Sequence, residues 1–422
     1  MPATPRRAAA VMAAAAARIG RGGPARRSFQ SDCSGLLERS LQELGNSLSV
    51  EVNPDSPATS SAALLGSPNP LPPQSRVFVN MVKTTVDHFQ EVAATSRSLS
   101  AAGYRPVPHV PVSRISTMDE FQQTLEMLRQ AGATEMLLIG GNDIRERQER
   151  GELLYSSVAE LLQAEGPRLH AAGIRLIALA GLPDSPTWRG WNEEVASKVL
   201  LEKVRLGLEA GLDVEVVSQF CFNPSKLLRW LTRMNSAMEE LRVSFGNGRS
   251  TRLCVGLPGP TKHSRLLRIS EICQVPSSYA SVSMFRRILG KELAGPADFS
   301  CLGQQLRVAA EARAGGRKLG PPELAVLLAE LSKMELETSS EPAPTSVDAL
   351  GPSAFVASAQ DVTNEEDLIF PEDLLWSVAA FAQESRARVS VNLYPFGGLA
   401  QTLTLAEALR SGCWSRPRTP HS

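Results

Sequence analysis

The chain has 422 residues, 43% of them hydrophobic, and lysine plus arginine equals aspartate plus glutamate at 44 each. That length and apolar content can bury one large core, and the charge balance sets up no field that would draw the protein to nucleic acid or an anionic membrane, so the expected ligand is a small molecule. Six cysteines without CxxC spacing fit a reducing compartment, and no apolar run approaches the roughly 18 residues that span a bilayer, so neither a nucleic-acid nor a membrane partner is expected.

Residues 1–31 differ from the rest. Arg6, Arg7, Arg18, Arg21, Arg26 and Arg27 are interspersed with alanine, and no acid precedes Asp32. This is the composition of a transit peptide, and mitochondrion is preferred to plastid because arginine outweighs serine and threonine. The other reading is a tail without an address, which leaves the protein cytosolic. The remaining chain, 32–412, reads as one catalytic domain followed by a short disordered tail at 413–422.

After a helical stretch at Ser34 to Leu44, brief β-type runs alternate with helical patterns, the signature of βα units and a parallel sheet. Strands are predicted at Ser47–Val52, Arg76–Met81, Val107–Val112, Glu135–Ile139, Ile174–Ala180, Val214–Gln219, Arg252–Gly256 and Val389–Tyr394. Eight strands imply closure into a (β/α)₈ TIM barrel, an α/β fold of roughly 250 residues that fits this length with room for insertions. Met118–Gln130 carries Phe121, Leu125 and Leu128 at helical spacing behind a Ser-Thr start, which places it on the outside of the barrel. Asp55–Gln74, rich in proline, serine and alanine, reads as an irregular excursion. Phe285–Leu336 reads as helical, and Glu337–Glu365 as a flexible insertion, so the last strand arrives late.

Parallel barrels place their chemistry at the carboxyl ends of the strands. Glu51 lies between Val50 and Val52, where an acid is either salt-bridged on an edge or set in a polar cavity with a raised pKa, able to serve as a general acid. His109 sits between prolines, as a structural residue or a ligand contact. Gly140, Gly141, Asn142 and Asp143 form a turn where backbone can approach a ligand. Gln219, followed by Phe220, Cys221 and Phe222, sets an amide beside aromatic surface and suits a flat heteroaromatic ring. Gly397-Gly398 either binds phosphate or turns the chain. There is no GxGxxG after a strand, no Walker A sequence and no HExxH, and the five histidines are scattered, so no metal site is expected.

Several segments, in order, carry a resemblance: Ser49-Val50-Glu51-Val52-Asn53-Pro54, Val107-Pro108-His109-Val110, Leu137 through Asp143, Ile177 through Asp184, Ser218-Gln219-Phe220-Cys221-Phe222 and Val255-Gly256-Leu257-Pro258-Gly259-Pro260. Over about residues 47–285 the chain resembles the methylenetetrahydrofolate reductase family, and Phe396-Gly397-Gly398-Leu399 is similar to a divergent bacterial branch of it. The resemblance implies a flavoenzyme of one-carbon and methionine metabolism, in which NADH or NADPH reduces FAD and the flavin reduces 5,10-methylenetetrahydrofolate to 5-methyltetrahydrofolate. By the same resemblance Glu51 is the general acid, Gln219 and Phe222 bind the folate, and Asn80, His109, Gly140, Gly141, Asn142, Asp143, Ala180 and Leu182 line the flavin. Three features depart from the family: Leu182 stands where an aromatic is usual, Gly140 where an arginine is, and Asp184-Ser185-Pro186-Thr187 lacks the family's histidine. Alternative readings are a folate-binding or methyl-transferring barrel without flavin, and a non-catalytic partner subunit; a homo-oligomer is compatible with each.

Overall fold

The computed structural model describes residues 39–275 and 368–412, with short interruptions that include 82–87, 142 and 185–191. The arginine-rich leader, the helical stretch read at 285–336, the insertion read at 337–365, the C-terminal tail and Asn142 lie outside the described residues.

Ten strands are present among those residues: β1 Ser49–Val52, β2 Arg76–Val79, β3 Arg105–Pro111, β4 Glu135–Ile139, β5 Leu176–Gly181, β6 Asp213–Ser218, β7 Thr251–Pro258, β8 Thr261–Lys262, β9 Leu368–Ile369 and β10 Val389–Tyr394. Eight of them form a closed parallel barrel in the order β1-β10-β7-β6-β5-β4-β3-β2. The eighth barrel strand, β10, pairs with β7 from Val389↔Leu253 to Tyr394↔Pro258 and with β1 at Ser49↔Asn392, which seals the seam. β8 and β9 form a separate antiparallel ladder, Thr261↔Ile369 and Lys262↔Leu368. The chain therefore departs after β7 and returns before β10 at one point, and the late arrival of the last strand leaves the barrel closed.

Around the barrel run α1 (39–46), α2 (Ser61–Leu65), α3 (His88–Ala101), α4 (Met118–Gln130), α5 (Ile144–Glu149), α6 (Val158–Ala171), α7 (Glu193–Glu209), α8 (Pro224–Phe245), α9 (Glu372–Ser385) and α10 (Leu399–Ser411). The ends follow local chemistry. Thr117 and Glu120 close a capping box on α4, and Asn223 with Pro224 opens α8, both satisfying amides that have no partner inside the helix. The excursion read at 55–74 contains α2, capped by Ser60, and buries Leu64 against the core.

Strand ends differ from the sequence reading by at most two residues, and β4 and β10 match it at both ends. β1 begins at Ser49 rather than at Ser47, because the Ser47 amide closes α1 onto the Glu43 and Leu44 carbonyls. β7 runs on to Pro258, paired with β10 throughout.

Side chains alternate between two cores. Val50, Val52, Val77, Val79, Leu138, Val214, Val216, Val255 and Leu393 point outward into one continuous core shared with the helices. Phe78, Val107, Leu137, Leu176, Ala178, Val217 and Cys254 fill the lumen. The lumen is thus packed and solid, as in barrels of this size. Below its apolar layer, at the amino ends of the strands, Arg76 Nε lies 2.6 Å from Glu135 Oε2, and its Nη1 lies 2.5 Å from Glu215 Oε2. Burial by itself would lower the Arg76 pKa, but Glu215 and Glu135 more than offset it and hold the guanidinium above its ordinary range.

Candidate active site

Above the apolar layer, at the carboxyl ends, the inward positions turn polar. Glu51 on β1 pairs in register with Phe78 on β2, and Asn80 follows one step beyond that strand, with its amide on the Val52 carbonyl. His109 comes from β3 and is buried. Asn80 Nδ2 donates to Glu51 Oε1 at 2.9 Å, and His109 Nε2 lies 3.8 Å from Glu51 Oε2. The edge-to-face contact of Phe78 with the imidazole, 6.1 Å between centroids, supports His109 from below.

This environment decides the protonation states. Burial pushes the Glu51 carboxyl up to about 7, against the opposing effect of the Asn80 hydrogen bond. Burial pulls His109 down to about 3, so the imidazole is neutral across the physiological range. The two side chains are therefore not an ion pair at neutral pH, despite their proximity. Asn80 occupies Oε1, which leaves Oε2, facing His109 Nε2, as the oxygen open to carry the proton of the neutral carboxyl. That nitrogen is buried and has no hydrogen-bond partner.

β10 closes the site from the other side. The Tyr394 hydroxyl donates to the Ser218 carbonyl at 3.0 Å, and its ring stacks on Phe396 at 5.5 Å with 9° between planes. Phe220 meets Phe222, Tyr394 and Phe396 edge-on, so the loops after β6 and β10 form one aromatic wall, joined by Ile269, Cys273 and Val275 from the segment after β8. Burial, and then the Glu51 charge, raises the Cys273 thiol to about 12 and places the Tyr394 phenol well above its usual range. Both are neutral, and both belong to the surroundings of Glu51.

Glu51, Asn80 and His109 thus converge at one point. Ala180 is exposed at the inner end of β5, in the mouth of the barrel, and Leu182 is half-buried just beyond it. The Gln219 amide continues the ladder onto the Gly181 carbonyl, while its side-chain Oε1 accepts from the Phe220 amide at 3.3 Å, leaving Nε2 available. Phe222 stands in the aromatic wall. Gly140 accepts the Ser113 amide through its carbonyl, and the space beside it is open apart from Ile144.

Asp143 does something else. It accepts from Ser113 Oγ at 2.8 Å and lies 3.1 Å from Arg114 Nη1, so it ties the loop after β4 to the loop after β3. Gly141 has φ +96, and a Cβ there would overlap Ser113 Oγ. Gly141→Ala is expected to lower stability by about 2–4 kcal/mol, from a positive φ compounded by the clash, as measured by urea denaturation. A change under about 0.5 kcal/mol would show that the turn relaxes freely. Gly397 is likewise a packing residue, since a Cβ would run into the Pro260 carbonyl, and Gly398 precedes α10 at φ +117. These observations favour the chain-turning role of that pair.

The partners missed in the sequence are Tyr394, Phe396 and Cys273. For Tyr394 a signal existed: Ser390, Asn392 and Tyr394 alternate along β10 with outward apolar residues, which puts all three in the lumen. Among the described residues no cluster of His, Cys, Asp or Glu could hold a metal ion, and no helix is long and apolar enough to cross a membrane. A scan against models of known protein families gives no match to this sequence.

Proposed function

We propose that the chain is a flavin-dependent reductase of 5,10-methylenetetrahydrofolate, using NADH or NADPH, with Glu51 as its acid. The observation that carries this reading is the inward Glu51 at the carboxyl end of β1, its carboxyl held near neutrality by burial and oriented by Asn80. A group of that pKa is populated in both forms at neutral pH and can give a proton to a substrate nitrogen and recover it from water. His109, neutral and adjacent, keeps the site free of a competing positive charge.

The residues at the mouth suit a flat heteroaromatic cofactor. The orphaned His109 Nε2 offers a polar partner, exposed Ala180 a low floor, and the open side of Gly140 a close approach to backbone. On this reading Asn80, His109, Gly140, Gly141, Ala180 and Leu182 hold the flavin, and Gln219 Nε2 with Phe222 holds the pterin. FAD, when bound, supplies hydride chemistry that no side chain can. Glu51 supplies the proton, and the aromatic wall of Phe220, Phe222, Tyr394 and Phe396 excludes water.

A second reading, a folate-binding barrel without flavin, is favoured by one observation: the Asp143 carboxylate is already engaged by Ser113 and Arg114. The visible absorption spectrum separates the two. The purified full chain is expected to show flavin bands, or to acquire them on adding FAD, and after photoreduction anaerobic methylenetetrahydrofolate is expected to restore them. A colourless protein that takes up no FAD would sink the reductase reading and favour the second. A role as a non-catalytic partner, or residence in a mitochondrion, rests on features outside the described residues.

A further inference from the structure

At the opposite end of the barrel from Glu51, the amino ends of the strands surround a cavity of about 410 Å³. This face of a parallel barrel ordinarily serves stability alone. Here its lining includes Arg76, Arg105, Arg252 and Arg388 against the single carboxylate of Glu215. Even when Glu135, behind Arg76, is counted, positive charge is in excess.

The ion pairs of the barrel floor do not account for these groups. Arg76 is more than nine-tenths buried and uses Nε and Nη1 on the two glutamates, yet its Nη2 has no partner. Arg105 is oriented by Nε on the Gln74 carbonyl at 3.0 Å and by Nη1 on Glu135 at 3.3 Å, which leaves Nη2 unused. Gln74 itself holds φ +66, the only described non-glycine residue with positive φ, on the rim of this cavity. The half-buried Arg252 and exposed Arg388 side chains have no hydrogen bond or ion pair at all. Glu215 Oε1, also at the cavity, is buried without a partner, and Ser390 Oγ lies beside the Cys254 thiol.

We propose that this cavity binds a phosphate-bearing small molecule, separately from the site at Glu51. The arginines come from β2, β3, β7 and the approach to β10, so they reach the cavity from different sides of the barrel. A tetrahedral phosphate accepts hydrogen bonds from several directions at once, whereas a planar carboxylate is saturated by one or two forks. Ser390 Oγ adds a neutral donor. Glu215 Oε1 adds an acceptor, which selects a ligand that also carries a hydroxyl or amine. The volume suits a phosphorylated metabolite rather than a bare ion.

The test is isothermal titration of the full chain with inorganic phosphate, pyrophosphate and citrate at constant ionic strength. Saturable binding is expected, with pyrophosphate tighter than phosphate and citrate weakest. Arg252→Gln combined with Arg388→Gln is expected to weaken pyrophosphate at least tenfold, whereas Arg97→Gln, on the exposed face of α3, leaves it unchanged. Phenylglyoxal labelling of the unaltered protein provides a check that needs no variant: pyrophosphate is expected to protect Arg252 and Arg388. Absence of saturable binding, equal weakening by Arg97→Gln, tighter binding of citrate, or no protection would each overturn the proposal.

Discussion

Replacing Arg76 with methionine is expected to cost about 3–5 kcal/mol of folding free energy. The reason is not that the ion pairs are strong. Taking three charges out of water carries a penalty that their mutual attraction roughly cancels, so the intact cluster contributes little net stability. Removing only the cation keeps the penalty and discards the attraction. Glu215, almost wholly buried and with Oε1 already unpartnered, would lose its ion pair, while Glu135 would keep Arg105. Equilibrium urea denaturation measures the loss. Arg76→Met with Glu215→Leu is expected to recover most of it, because the pair is then removed as a unit. If the double variant is no more stable than the single one, the buried-charge account is wrong. Arg105, about half exposed, should lose under about 1 kcal/mol on substitution by glutamine, since water screens that pair.

That cluster also marks where sequence reasoning stops. Arg76, Glu135 and Glu215 stand at or near the starts of β2, β4 and β6, and a charged residue at a strand start reads as the solvent-facing end of the strand. Closure changes this. In a barrel the inward residues of alternate strands meet in one layer, so three side chains far apart in sequence become neighbours. The strands themselves were readable because brief apolar runs alternate with longer helical patterns, and that alternation survives any uncertainty in the ends. Glu51 was readable for the same reason: an acid in that pattern breaks the rule and calls for a cavity.

The partners of Glu51 were less accessible. The family resemblance put Asn80 and His109 at the flavin and not beside the acid, and the structure brings both within reach of Glu51 by the β1–β2–β3 register. The turn at Gly140 shows the converse. A Gly-Gly-Asn-Asp run reads as a ligand loop, and no local pattern signals that Ser113 and Arg114 approach the Asp143 carboxylate.

Glu51→Gln is the substitution that joins stability to chemistry, and its two expected effects have opposite signs. In the folded protein burial raises the carboxyl from 4.5 to about 7, so the native state binds its proton more tightly than the unfolded chain does. A group with a raised folded pKa contributes stability that is fully present below 4.5 and is lost as pH rises through about 7. At pH 8 the unaltered protein therefore carries a buried negative charge that glutamine does not have. Glu51→Gln is expected to be more stable there by up to about 3 kcal/mol, from a shift of this size, and to match the unaltered protein near pH 4.5. Thermal unfolding at the two pH values reads the difference. Under the proposed function the same variant loses about 10²–10⁴-fold in turnover, because glutamine keeps the Asn80 hydrogen bond but has no proton to give. A residue that serves only the fold would not be selected to destabilise it near neutral pH, so a gain in stability with a loss of turnover is the pattern of a buried acid kept for its chemistry. A variant less stable at pH 8 would mean that the carboxylate is held by a positive partner, with His109 protonated after all, and the assignment of Glu51 as the acid would fail.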